Sequence, residues 1–217
     1  MIDIVREIES VRRRVGTGRI AVGEGHTITL RRTYDAPIDD VWDALTTPER
    51  IGRWFLPISG DYRLGGRFQF EGNAGGEILA CERPNRLRVS WGFGEMDGVD
   101  GSELELRLTS AGDESTIFEL EHTAVVPDEM WAQFGPGAVG VGWEGGLLGL
   151  SLHLHGGSIA DPVAWQLSDE GREFFARSSD AWGIANVAAG ADPEAAASAV
   201  ANTTAFYAPP PDAPAER

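Results

Sequence analysis

The sequence predicts an α+β fold in which a run of antiparallel strands is followed by helices. Three observations predict it. Between residues 26 and 122 the apolar side chains recur mostly at period two. The runs are short, consecutive and separated by Gly, Pro, Asn and Asp turn signals, as in an antiparallel sheet with one buried face. Beyond residue 127 the period changes to helical, and Trp143, Leu147, Leu150 and Leu154 follow one another at spacings of four, three and four.

The elements can be justified in order. Within residues 1–22, Ile4, Val5, Ile8 and Val11 read as one short helix, with Arg12, Arg13 and Arg14 set against its C-terminal dipole. Residues 27–34 alternate, with Ile28, Leu30 and Tyr34 on one side. Asp35-Ala36-Pro37 then turns the chain into a helix carrying Ile38, Val41, Trp42 and Leu45. Thr47-Pro48-Glu49 opens a second short helix to about Arg53, with proline at its first position. Gly65-Gly66 precedes a strand with Phe68 and Phe70, and Gly75-Gly76 one with Ile78 and Ala80. Pro84-Asn85 separates these from Leu87, Val89, Trp91 and Phe93, which share one parity. In residues 102–108, Leu104, Leu106 and Leu108 point inward while Glu103, Glu105 and Arg107 point out. In residues 115–122, Phe118, Leu120 and His122 share a face.

The long helix that follows is loaded with glycine (Gly135, Gly137, Gly140, Gly142, Gly145, Gly146 and Gly149). Each costs about 1 kcal/mol relative to alanine, so close approach of another backbone or of a ligand must compensate. Ser168 caps a further helix with Phe174, Phe175, Ala181, Trp182 and Ala185 on its apolar stripe, and Gly190 ends it. Asp192-Pro193 caps the last one. The expected organisation is an N-terminal helical extension (1–22), a main domain (23–157), a C-terminal helical extension (158–208) and a frayed proline-rich tail (209–217).

Composition narrows the function. Of 217 residues, 42% are hydrophobic, and 18 basic against 34 acidic residues give a formal charge of −16. That charge argues against nucleic acid and anionic lipid as partners. Every basic residue is arginine. Without a lysine, Schiff-base, pyridoxal-phosphate and Walker-type chemistry are excluded. The single cysteine, Cys81, excludes an intramolecular disulfide and a thiolate zinc site. No apolar run is long enough to span a membrane, and the N-terminus is too charged for a signal peptide. We therefore expect a cytoplasmic protein. Neither a G-x-S-x-G elbow nor a dinucleotide turn in strand–helix context is present, and His153 and His155 diverge by about 200° on a helix. Thus no metal, cofactor or catalytic residue is assigned.

One stretch resembles a known family. Arg32, Tyr34-Asp35-Ala36-Pro37, Val41-Trp42, Ala44-Leu45, Pro48-Glu49-Arg50 and Trp54-Phe55 resemble the opening signature of the SRPBCC (START/Bet v 1-like) superfamily. Its branch named after the C-terminal domain of the activator of Hsp90 ATPase matches best. Gly65-Gly66-Arg67-Phe68, Gly76-Glu77-Ile78-Leu79, the segment from Arg86 to Trp91, and Gly142-Trp143 with Gly146-Leu147 add to it. The resemblance spans roughly residues 26–155. It implies a helix-grip fold: a curved antiparallel sheet around a long C-terminal helix, with a cavity between them. Members include hydrophobic-ligand carriers, aromatic polyketide cyclases and chaperone regulators, so the fold alone does not choose an activity.

The candidate ligand-binding residues are Trp54, Phe55, Phe68, Phe70, Trp91, Phe93, Leu106, Phe118, Leu120, His122, Trp143 and Leu147. They form either a ligand cavity or plain core. His122 and Arg32 are candidate polar anchors. Otherwise His122 is a strand-end histidine satisfied by backbone or water, and Arg32 belongs to an ion pair with Asp35 or Glu144. The expected function is carriage or sensing of a small hydrophobic or aromatic molecule. The alternatives are a chaperone-interacting protein and a cyclase-like enzyme of secondary metabolism. The C-terminal helices are read as a lid over the cavity, a homodimer contact, or a pair packed on the outer sheet face.

Overall fold

The computed structural model describes residues 2–93 and 101–210. A short helix α1 (Ile4–Glu9) leads into strands β1 (Arg12–Ile20) and β2 (Gly23–Tyr34). Helices α2 (Ile38–Thr46) and α3 (Pro48–Trp54) follow. Strands β3 (Ile58–Gly60), β4 (Arg67–Phe70), β5 (Ala74–Glu82), β6 (Arg86–Ser90), β7 (Gly92–Phe93), β8 (Ser102–Ser110) and β9 (Thr116–Ala124) come next. The chain closes with α4 (Asp128–Phe134), α5 (Gly137–Leu154), α6 (Pro162–Gln166), α7 (Asp169–Ala188) and α8 (Pro193–Tyr207). Among the described residues the nine strands form one curved antiparallel sheet in the order β1-β2-β9-β8-β6-β5-β4-β3, with β7 paired to β5. This is the helix-grip arrangement. The tail residues 211–217 lie outside the described residues.

Cross-strand register fixes the two faces. Arg13, Leu30, Leu120, Leu106 and Leu87 form one row, and Val15, Ile28, His122, Leu104 and Val89 the next. Directly opposed residues share a face, so both rows line the concave side. A register shift between Ile78 and Ala80 marks a bulge in β5, a device that bends a strand. The convex face carries charge ladders such as Arg86–Glu105 (3.0 Å) and Arg107–Glu119 (3.2 Å).

The N-terminal expectation is corrected. Only Ile4–Glu9 is helical, and the arginine triplet sits in an edge strand. Arg12 and Arg14 point outward, while Arg13 turns in and forms two 2.6 Å hydrogen bonds with Glu144 of α5. An arginine at an inward position hides the period-two pattern that its neighbours would otherwise show. Glu103, expected outside, is also mostly buried because Arg88 covers it.

One reading of the C-terminal helices is corrected as well. Helix α7 packs against α5, β1 and α1, on the concave side beside α5. The pair α7–α8 therefore widens the helical layer instead of covering the outer face. Phe174, Phe175 and Trp182 join the main core there. The helical stretch 127–155 is two helices, broken where Gly135 takes φ +56° ahead of Pro136.

This layer explains the glycines of α5. A Cβ on Gly140 would lie 2.3 Å from the Trp182 ring, and one on Gly149 would lie 2.4 Å from the Trp54 carbonyl oxygen. Tyr207 reaches over the same helix and donates to the Ala138 carbonyl at 2.8 Å. Close packing of α7, α8 and α3 thus offsets the poor helix propensity. Gly146 is different, since the nearest atom to a Cβ there is in the Phe55 ring at 3.7 Å. We predict that Gly140→Ala destabilises the protein by about 1–3 kcal/mol through overpacking. Gly146→Ala should stabilise it by up to about 1 kcal/mol. Urea denaturation of both variants checks this, and equal effects would contradict the packing account.

Candidate functional site: an apolar cavity under helix α5

Between the concave sheet face and α5 lies a cavity of about 210 Å³. Its walls are built from every neighbouring element. Helices α2 and α3 contribute Leu45, Ile51 and Trp54, and Phe55 follows at the end of α3. The short strands contribute Ile58, Phe68, Phe70 and Ile78. The central strands give Leu87, Val89, Leu104, Leu106, Phe118 and Leu120, with Trp91 just after β6. Helix α5 supplies Trp143, Gly146, Leu147 and Leu150.

The aromatic members hold one another at fixed angles. Phe70 meets Phe55 edge-on at 5.0 Å, while Phe70 with Trp91 (5.6 Å) and Trp91 with Trp143 (4.9 Å between ring centroids) are tilted pairs. Offset and edge contacts of this kind are worth about 0.5–1.5 kcal/mol each beyond burial. The Trp54 indole donates to the Ala44 carbonyl at 2.9 Å, which ties α3 to α2 behind the wall.

Among the described residues, the exposed polar lining marks the rim. Tyr62, Arg63 and Cys81 line the cavity and are exposed, so they mark its mouth together with Leu64. Arg63 pairs with Asp61 at 2.6 Å, with both side chains more than half exposed. Partial burial, with Glu49 adding to it, pushes the Tyr62 phenol up.

Ten of the twelve sequence candidates line this cavity: Trp54, Phe55, Phe68, Phe70, Trp91, Leu106, Phe118, Leu120, Trp143 and Leu147. Two do not. Phe93 is 67% exposed, because the chain leaves β6 after Ser90 and Phe93 falls in the short strand β7. His122 is buried on the concave face but stands behind Trp143, whose indole N–H donates to its Nδ1 at 3.0 Å.

Arg32, the other proposed anchor, is also outside the cavity. It donates to Glu7 at 2.6 Å and to Ser151 at 2.7 Å, and its guanidinium lies over the Tyr34 ring. Its partner is neither Asp35 nor Glu144. The rim residues Thr46, Tyr62, Arg63, Leu64 and Cys81 were missed, because α2, a loop and a strand end bring them together and no periodicity links them. Leu87, Val89 and Leu104 carried the inward parity and were legible from it.

The lid reading of the C-terminal helices fails on the same geometry, since no residue of α6, α7 or α8 is among those lining the cavity. Among the described residues no helix is long and apolar enough to cross a membrane.

Burial holds the His122 imidazole well below its usual range, at about 4. With Nδ1 accepting from Trp143, the ring is neutral and its proton sits on Nε2. The unfolded chain therefore takes up a second proton on this ring more readily than the folded one. Stability contributed by neutral His122 is present above pH 6.5 and is lost as pH falls toward 4. The loss from this group reaches about 3 kcal/mol. We predict that His122→Gln flattens the pH dependence of urea unfolding between pH 7 and 4.5. An unchanged dependence would contradict the assignment.

Comparison with known proteins places this geometry in a family. Residues 35–151, more than half of the chain, match the family described as "Activator of Hsp90 ATPase homolog 1-like protein". No curated protein sequence matched. Among solved structures, the crystal structure of CalU16 from Micromonospora echinospora is 39% identical, with a TM-score of 0.65 over 81% of this chain and 97% of that one. Its solution structure gives 38% identity and a TM-score of 0.67 over 83% of this chain and 97% of that one. Protein MLL2253 from Mesorhizobium loti shares the fold at 24% identity and a TM-score of 0.51, over 60% of this chain and 96% of that one. The helix-grip sheet, the wrapped helix and the match over residues 35–151 together establish that this chain belongs to the Hsp90-ATPase-activator-homolog-like branch of the SRPBCC superfamily.

Proposed function

We propose that the protein binds a small apolar or aromatic molecule in the cavity under α5, as a carrier or sensor. The observation that carries this reading is a wall of aromatic and aliphatic side chains whose exposed polar members, among the described residues, are Tyr62, Arg63 and Cys81. A cavity of about 210 Å³ somewhat exceeds the ~150 Å³ apolar cavity that takes up benzene. Its occupant is thus a molecule of one or two rings.

Two other readings have less support. A cyclase-like reaction needs an acid–base group at the substrate, and His122 is turned to Trp143 behind the wall. The chaperone-regulator reading draws on the family description alone, whereas the cavity draws on residues of this chain.

Three tryptophans line the cavity (Trp54, Trp91 and Trp143), so occupancy is readable by their fluorescence. We predict saturable quenching or shift on titration with naphthalene. Gly146→Leu, which projects a side chain into the space beside Phe55, should weaken this at least about tenfold while the protein stays folded. Unaltered naphthalene binding in the folded variant would refute the cavity as the site.

A further inference from the structure

The rim carries an asymmetry that the apolar wall does not explain. Among the described residues lining the cavity, Arg63 alone carries a formal charge at neutral pH. The backbone that presents it is firmly placed. Gly65 N–H donates to the Ile78 carbonyl and Ile78 N–H donates to the Gly66 carbonyl, both at 2.9 Å, so the loop is stitched to β5. Arg63 N–H bonds the Asp61 carbonyl, and Gly66 N–H bonds the Arg63 carbonyl at 2.8 Å. Gly65 takes φ +74°, a conformation that glycine adopts at no steric cost and that lets the loop turn back at once.

The guanidinium, by contrast, is held loosely. Its one ion-pair partner among the described residues is Asp61, and the two side chains are 77% and 55% exposed. Exposed pairs of this kind contribute little and exchange readily. A guanidinium also offers a planar fork of donors suited to a carboxylate. An arginine at the lip of an apolar cavity, with a weakly held partner, is therefore free to turn to an anion carried by whatever occupies the cavity. Glu49, the acid near Tyr62, is exposed to solvent and screened.

We propose that the occupant is an amphipathic anion, with a one- or two-ring body in the cavity and a carboxylate at the mouth held by Arg63. This rests on the cavity-binding reading above and assigns its ligand class. It runs against the charge of the whole chain, −16, which disfavours anions in general and makes a local preference diagnostic.

The test compares naphthalene-2-carboxylate with the near-isosteric neutral naphthalene-2-carboxamide by calorimetric titration at low salt. The unaltered protein should prefer the carboxylate by about three- to tenfold, as expected for a charge-assisted hydrogen bond at a half-solvated rim. Arg63→Gln should abolish that preference by weakening carboxylate binding more than carboxamide binding. Asp61→Asn, which removes the competing acid, should increase it. Equal affinities in the unaltered protein, or a preference that survives Arg63→Gln, would overturn the anion assignment while leaving the cavity reading intact. Failure of both probes to bind would overturn the cavity reading and the anion assignment together.

Discussion

The pair between Arg13 and Glu144 sets where α5 lies on the sheet. Glu144 is almost fully buried, and the guanidinium closes on both of its carboxylate oxygens at 2.6 Å. Burial pushes this carboxyl up, and the arginine pulls it back toward the ionised form. A buried charge without its partner typically costs 3–5 kcal/mol, so the helix cannot rotate away from β1. With Glu144 held toward the edge strand, Trp143, Leu147 and Leu150 are presented to the cavity. The pair contributes orientation more than net stability.

The other face of α5 obeys a different constraint. It must admit the Trp182 ring, the Tyr207 side chain and the backbone of α3, and glycines at the contact points are what permit this. Packing is therefore tight on the side of α7 and α8 and loose on the side of the sheet. The space left on the sheet side is the cavity lined by the aromatic and aliphatic wall.

The sheet was legible because its strands repeat. Leu104, Leu106 and Leu108, or Phe118 and Leu120, state their orientation locally. The aromatic wall was legible for the same reason, and through a resemblance that covers the middle of the chain. What the sequence hid depends on distant partners. Arg13 reads as one of three helix-end arginines until Glu144, 131 residues away, is brought beside it. Arg32 likewise finds Glu7 and Ser151, and His122 finds Trp143, each from a different element. Phe93 misled because parity was carried past the end of β6. The mouth could not be read at all, since α2, the β3–β4 loop and the end of β5 meet there only in three dimensions.

The central claim is that the space under α5 takes up a small ring compound. Titration of 15N-labelled protein with naphthalene, following the seven indole N–H resonances, tests it most directly. Saturable shifts at Trp91 and Trp143, with Trp165 and Trp182 unmoved, are the predicted result. Shifts confined to Trp165 and Trp182, or no saturable shift at any indole, would contradict it.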